Sequence, residues 1–270
     1  MSFTSPVLTL EVNENVATLW LDRPDRRNAI SEQMWVDIPK AITAVADNEQ
    51  VRSLIIAARG DSFCVGIDLQ SLGEAPDIAT ATGCLTQLKT TKVCQDAITA
   101  IADCPVPVVA AIHSHCLGAG VDLITACDVR FAAQDTVFGV RETKIGIVAD
   151  VGTLQRLPNI INPGHVAELV YTGKDFSAEY AEKVGLVTGV YADADATYAA
   201  AQKLSAEIAA NAPLAVRGSK FVLQQGEEMT TEQGLLLNGL WTMVTSLNSN
   251  DLKEAMIAFA QKRPPKYTGS

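Results

Sequence analysis

Two apolar runs constrain this chain most, because each leads through a glycine-bearing turn into a helix-like pattern. Ser53–Ala58 enters Arg59-Gly-Asp-Ser-Phe-Cys-Val-Gly-Ile-Asp-Leu69, and residues 107–112 enter His113-Ser-His-Cys-Leu-Gly-Ala-Gly120. Short unbroken apolar stretches are what strands covered on both faces require, and helical crossovers supply that cover. The recurrence of strand, turn and helix near 53–75 and 106–127 therefore predicts an α/β core. Residues 7–12 and 16–21 read as two further strands joined by Asn13-Glu-Asn15 in a hairpin. A helix is expected from Ser31, as its cap, to about Asp47, with Pro39 kinking or interrupting it. Apolar spacing predicts a second helix over 85–102, and short strands are expected at 129–132 and 137–139. Beyond Asp193 the pattern is almost wholly helical, which divides the chain into a core of residues 1–195 and a helical region of 196–270.

A formal net charge of −10 argues against a nucleic-acid surface, which needs a broad basic field, but leaves room for a locally bound anion. The six cysteines, at 64, 84, 94, 104, 116 and 127, lack CxxC spacing and read as small buried hydrophobes in a reducing compartment. His113 and His115 alternate along a strand end and so diverge, leaving His165 as the remaining imidazole; no metal site is expected. Ser114 lacks the Gly-x-Ser-x-Gly elbow of a nucleophile. Prolines, histidines and glycines break the apolar window 105–127, so no membrane span is expected, and no targeting signal is expected from either terminal sequence. Cytoplasm is the expected location.

Three acids stand out. Glu142 and Asp150 lie eight positions apart in Val140-Arg-Glu-Thr-Lys-Ile-Gly-Ile-Val-Ala-Asp-Val151, and Asp122 lies in Leu117-Gly-Ala-Gly-Val-Asp-Leu123. Carboxylates in apolar surroundings are costly unless used, and a pair of them suits removing a proton at one carbon and returning one at another. Each has a plainer reading as well. Glu142 would be a solvated partner of Arg141 or Lys144, Asp122 an acid complementing the dipole of its own helix, and Asp150 the cap of a helix starting near Val151. The two turns are open in the same way. If they adjoin, the N–H groups of Ile67 and Ala119 would point at one carbonyl oxygen; otherwise they are simple strand-to-helix turns. Gly118-x-Gly120 is not a dinucleotide fingerprint, since Leu123 stands where the third glycine belongs.

Four separated segments now point one way: Arg23-Pro-Asp-Arg-Arg-Asn-Ala29, Phe63-Cys-Val-Gly-Ile-Asp-Leu69, Leu117-Gly-Ala-Gly-Val-Asp-Leu123 and Gly152-Thr-Leu-Gln-Arg-Leu157. In this order, across nearly the whole chain, they resemble the crotonase (enoyl-CoA hydratase/isomerase) superfamily. Asp122, Glu142 and Asp150 are most similar to the pattern of its delta-3,5-delta-2,4-dienoyl-CoA isomerases. The resemblance implies a crotonase-like ββα spiral core with a helical C-terminal trimerisation region. It implies an oxyanion hole at Ile67 and Ala119, the latter where the family usually has glycine. Glu142 matches the shared catalytic acid; Asp122 stands in place of the hydratases' second glutamate, one methylene shorter, and Asp150 where hydratases generally have glycine. The implied substrate is an acyl group on coenzyme A, with no separate cofactor and no metal. Arg26, Val65, Gly66, Asp68, Leu69 and Gly120 would line its path. Arg26 and Arg27 would meet its phosphates, with Phe259, Lys262 and Arg263 of the C-terminal helix approaching, often from a neighbouring subunit. Homotrimers pairing into hexamers are expected. The activity so implied is a double-bond shift in fatty-acid beta-oxidation; the rivals are an enoyl-CoA hydratase, another crotonase-type acyl-CoA enzyme, and a silent acyl-CoA-binding scaffold.

Overall fold

The computed structural model describes residues 3–70 and 77–270. The end of the stretch 53–75 thus falls partly outside the described residues. Strands β1 (Leu8–Asn13) and β2 (Val16–Leu21) form the expected antiparallel hairpin, with Asn13 opposite Val16. Beyond it the main sheet is parallel, in the order β1, β2, β3 (Ser53–Ala58), β4 (Val108–Ile112), β6 (Val129–Ala133) and β9 (Gly189–Tyr191). A second small sheet holds β5 (His115–Leu117), β7 (Val137–Gly139) and β8 (Phe176–Ser177).

Isolated parallel bridges, Ile30 to Ile67 and Cys64 to Cys116, extend that second ladder. The chain therefore winds. After β2 it passes Ile30, after β3 it passes Cys64, after β4 it forms β5, and after β6 it forms β7. Each turn lays one long strand in the first sheet and one short piece in the second. This winding places the segments that follow β3 and β4 side by side.

All six side chains of β3 and all five of β4 are buried, as unbroken apolar runs demand. Leu54, Ile56, Val108 and Ala110 face the main core with Met34 and Ile38 of α1 (Glu32–Ala46) and Ile98 of α2 (Ala81–Ala102). Ile55, Ala57, Val109 and Ala111 face the other way, onto Ala201 of α7 (Ala194–Ala209). Burying one such Ile or Leu contributes about 1.5–3 kcal/mol, so both faces of the sheet are strongly fixed. Trp20 stacks on Tyr198 of α7 with ring centroids 4.9 Å apart. The expected division at 195/196 falls within this helix.

Two local expectations need correction. Helix α1 starts at the Ser31 cap and is not interrupted at Pro39, because one missing N–H costs less than the burial of seven residues along that helix. Helix α2 begins at Ala81, capped by Thr80, ahead of the first apolar position used to find it. Four cysteines are buried, but Cys84 is exposed and Cys94 half-buried; all six are free thiols. Among the described residues no helix is long and apolar enough to cross a membrane.

The C-terminal helices are α8 (Pro213–Gly226), α9 (Thr231–Trp241) and α10 (Asn250–Gln261). Helix α8 is tied to the core by Lys220, whose buried ammonium donates to Asp128 (2.7 Å) and to the Val106 carbonyl (3.1 Å). No residue of α9 is buried.

Candidate active site

The two turns meet. A Cβ added to Gly66 would sit 3.3 Å from the Leu117 carbonyl, and one added to Gly118 would sit 3.7 Å from the Gly66 Cα. Gly66 has φ +102° and Gly118 φ +51°, backbone regions that other residues rarely adopt. The bridge to Ile30 uses the Gly66 carbonyl and the Asp68 N–H, at 2.8 and 2.9 Å. In a parallel bridge that pattern turns the N–H of the intervening residue away, and the Ile67 N–H has no acceptor among the described residues. Ala119 opens α3 (Ala119–Thr125) and likewise donates to no acceptor among the described residues. Beside the contact of Gly66 with Gly118, two peptide N–H groups thus have no acceptor among the described residues. Gly120 serves packing, since its missing Cβ lets α3 sit against Cys64, whose carbonyl would otherwise be 3.0 Å away.

Glu142 completes the cluster. It opens a short 3₁₀ turn, Glu142–Ile145, directly after β7. Its Oε1 would lie 3.3 Å from a Cβ at Gly118, so glycine there makes room for the carboxylate. Its Oε2 is buried without a hydrogen-bond partner among the described residues. An unsatisfied buried oxygen costs on the order of 1–3 kcal/mol, so this one adds nothing to stability by hydrogen bonding. Burial pushes the carboxyl up to about 7, and the negative charges of Asp122 and Asp150 push in the same direction.

Asp122, in the first turn of α3, is buried and reaches a second helix as well. Its Oδ1 accepts from the Thr153 N–H at 2.6 Å, which caps α4 (Thr153–Ile160) from outside. Burial raises its pKa, opposed by the hydrogen bonding from Thr153. The cap expected of Asp150 is therefore supplied by Asp122. The residue at the α4 N-cap position is Gly152, and the Asp150 side chain takes no part. Asp150 itself is exposed, yet its charge is felt by Glu142, by Asp122 and by the Cys94 thiol, so it lies near them.

A cleft of about 490 Å³ runs from the Ile67 turn past Val65, Asp68 and Leu69 to Arg26 and Arg27. Arg26 donates to Gln70 (2.7 Å), whereas Arg27 has no ion-pair partner among the described residues. Asp68 is held by Arg23 at 2.9 Å, so it shapes the turn. Arg141 and His115 also line the cleft and were not singled out from the sequence, although Arg141 adjoins Glu142. Phe259 and Lys262 belong to α10 and its C-cap and do not line this cleft within the chain. Arg263, offered for phosphate, is instead engaged by Glu254 through both guanidinium nitrogens, at 2.5 and 2.9 Å. Among the described residues no group of three or more His, Cys, Asp or Glu side chains could hold a metal ion.

Fold and site together describe an α/β protein with a half-buried carboxyl group near two peptide N–H groups that have no acceptor among the described residues. Residues 11–270 match the model of the enoyl-CoA hydratase/isomerase family, and the chain belongs to that family. It is 38% identical to the peroxisomal delta(3,5)-delta(2,4)-dienoyl-CoA isomerase of Arabidopsis thaliana, over 98% of this chain and 96% of that protein. It is 35% identical to the mitochondrial enzyme of that name from Rattus norvegicus, over 94% of this chain and 79% of that protein. The crystal structure of an enoyl-CoA hydratase from Bacillus anthracis superposes with a TM-score of 0.89 at 28% identity, covering 98% of this chain and all of that one. The two named isomerases are peroxisomal and mitochondrial, so they lend no support to the expected cytoplasmic location.

Proposed function

We propose that this protein converts 3,5-dienoyl-CoA to 2,4-dienoyl-CoA by moving one proton equivalent from carbon 2 to carbon 6, a step of fatty-acid beta-oxidation. The observation that carries the reading is the buried, unpartnered Glu142 oxygen next to the free N–H groups of Ile67 and Ala119. Glu142 takes a proton from carbon 2, and the C–H electron pair moves into the conjugated system. The negative charge gathers on the thioester oxygen, where the two N–H groups receive it; one such donor is typically worth about 3–4 kcal/mol in the transition state. Asp150 then delivers a proton to carbon 6, leaving the double bonds at 2 and 4. Those carbons are roughly 5–6 Å apart in an extended chain, so two separate carboxyl groups serve better than one. Each turnover leaves Glu142 with one proton more and Asp150 with one fewer, and a proton passing from the first to the second through solvent restores both. Protons balance and no redox change occurs, so the reaction calls for no cofactor; coenzyme A is the handle of the substrate.

The cleft toward Arg26 and Arg27 supports binding of the coenzyme A moiety, with Arg27 open to a phosphate. Hydration, the reaction named for the Bacillus anthracis neighbour, fits less well. It needs two carboxylates gripping one water, and here Asp122 already spends an oxygen on Thr153. Incubation with 3,5-dienoyl-CoA should produce the absorbance of the 2,4-dienoyl thioester. Rapid loss of conjugation from 2-trans-enoyl-CoA, with no reaction of the dienoyl substrate, would make the protein a hydratase instead.

A homotrimer, or a hexamer of two trimers, belongs to the same proposal. Support comes from α9 and the turn after it, where Leu235, Leu236, Met243 and Val244 are all more than half exposed. A monomeric mass by light scattering would count against it.

A further inference from the structure

We propose that Gln95 and Thr99, one turn apart on α2, are positioning residues that clamp the segment carrying Asp150, so that its carboxyl group meets the far carbon of the substrate. This rests on the role given to Asp150 above.

Residues 147–150 belong to no helix or strand, and side chains supply most of the hold on the segment around them. The Gln95 Nε2 donates to the Asp150 carbonyl at 2.7 Å. Further along, the Arg156 Nη2 donates to the Thr99 Oγ1 at 3.0 Å. Between these points Arg156 lies across Gly152, where an added Cβ would meet its Nη1 at 1.9 Å, and Thr153 is fastened to Asp122. Residues at i and i+4 share a helix face, so Gln95 and Thr99 grip the two ends of one short span. Ala149 is buried in the core and fixes the residue before Asp150. With the backbone held at its carbonyl, the Asp150 Cα–Cβ bond has little freedom to swing. A proton donor misplaced by about 1 Å typically loses about 10²-fold in rate.

The test compares Gln95→Met, which removes the donor at similar volume, with Gln95→Lys, which keeps one. The Met variant should lower kcat on 3,5-dienoyl-CoA by about 10²-fold with KM nearly unchanged. Deuterium exchange at carbon 2, which uses Glu142, should persist, and backbone amide exchange across 148–151 should quicken. The Lys variant should restore most of both. Thr99→Val, at the other end of the clamp, should act in the same direction by about tenfold. Wild-type turnover together with unchanged amide exchange in Gln95→Met would overturn the clamp. Should the wild-type protein fail to isomerise the dienoyl substrate, the reading of its function falls separately. Amide exchange alone then decides the clamp, faster exchange in the Met variant supporting it and unchanged exchange refuting it.

Discussion

Glu142 and Asp150 stand eight residues apart, yet the fold gives them opposite surroundings. The segment of Glu142 follows a strand, packs against Gly118 and leaves a carboxylate oxygen buried and unpaired. The segment of Asp150 is irregular and exposed, and side chains from α2 and α3 hold it from outside. The difference teaches that an acid–base pair need not be two copies of one environment. The half-buried carboxyl is the one whose affinity for protons has been raised, which suits the proton capture from carbon proposed for it. The wet one can exchange protons with solvent between turnovers.

Replacing each acid in turn separates these roles. Asp150→Asn should have the larger effect, a loss of about 10⁴-fold in isomerisation. The dienolate then has no donor at carbon 6 and can only return to starting material, so exchange of the carbon-2 protons should continue. Loss of that exchange along with isomerisation would mean that both reactions use Asp150. Glu142→Gln should cost about 10²-fold, because Asp122 is close enough to take over part of the work at carbon 2. In the wild type, kcat/KM should rise with pH as Glu142 loses its proton near 7, and this limb should vanish in the variant. Stability should move the opposite way. A carboxyl with a raised folded-state pKa binds its proton more tightly in the native state than in the unfolded one. Its contribution is therefore present at low pH and lost between the usual carboxylate range and about 7. Allowing for partial exposure, unfolding free energies from denaturant titration at pH 8 should favour Glu142→Gln by about 1–2 kcal/mol relative to the comparison at pH 5.

What the sequence disclosed follows the same division. Strands β3 and β4 were legible because burial on both faces leaves an unbroken apolar run, and the glycines flanking Ile67 and Ala119 marked where backbones approach. Glu142 was legible as an acid out of place. The partner of Asp122 was not, since nothing in Leu117–Leu123 tells whether an acid in a first helical turn serves its own helix or caps another thirty residues away. Gln95 was equally silent: α2 carries polar side chains along most of its length, so one more carries no signal. The commitment of Arg263 to Glu254 depends on how the tail folds back after α10, which no local pattern encodes.

Asp122 offers the smallest and most discriminating change. An Asn at this position keeps a carbonyl oxygen for the Thr153 N–H, so the cap on α4 survives and melting should reflect a loss under about 1 kcal/mol. Asp122→Ala removes the acceptor and should cost about 0.5–2 kcal/mol. The charge is absent from both variants, and it is the charge that Glu142 feels. Removing a neighbouring negative group favours the ionised carboxylate, so the rising limb of kcat/KM should move to lower pH in Asp122→Asn while kcat at high pH changes little. A limb left in place would detach Asp122 from Glu142 and reduce it to a cap. A collapse of kcat at every pH would instead give Asp122 a proton to carry, and would restore the two-carboxylate grip on water that hydration requires.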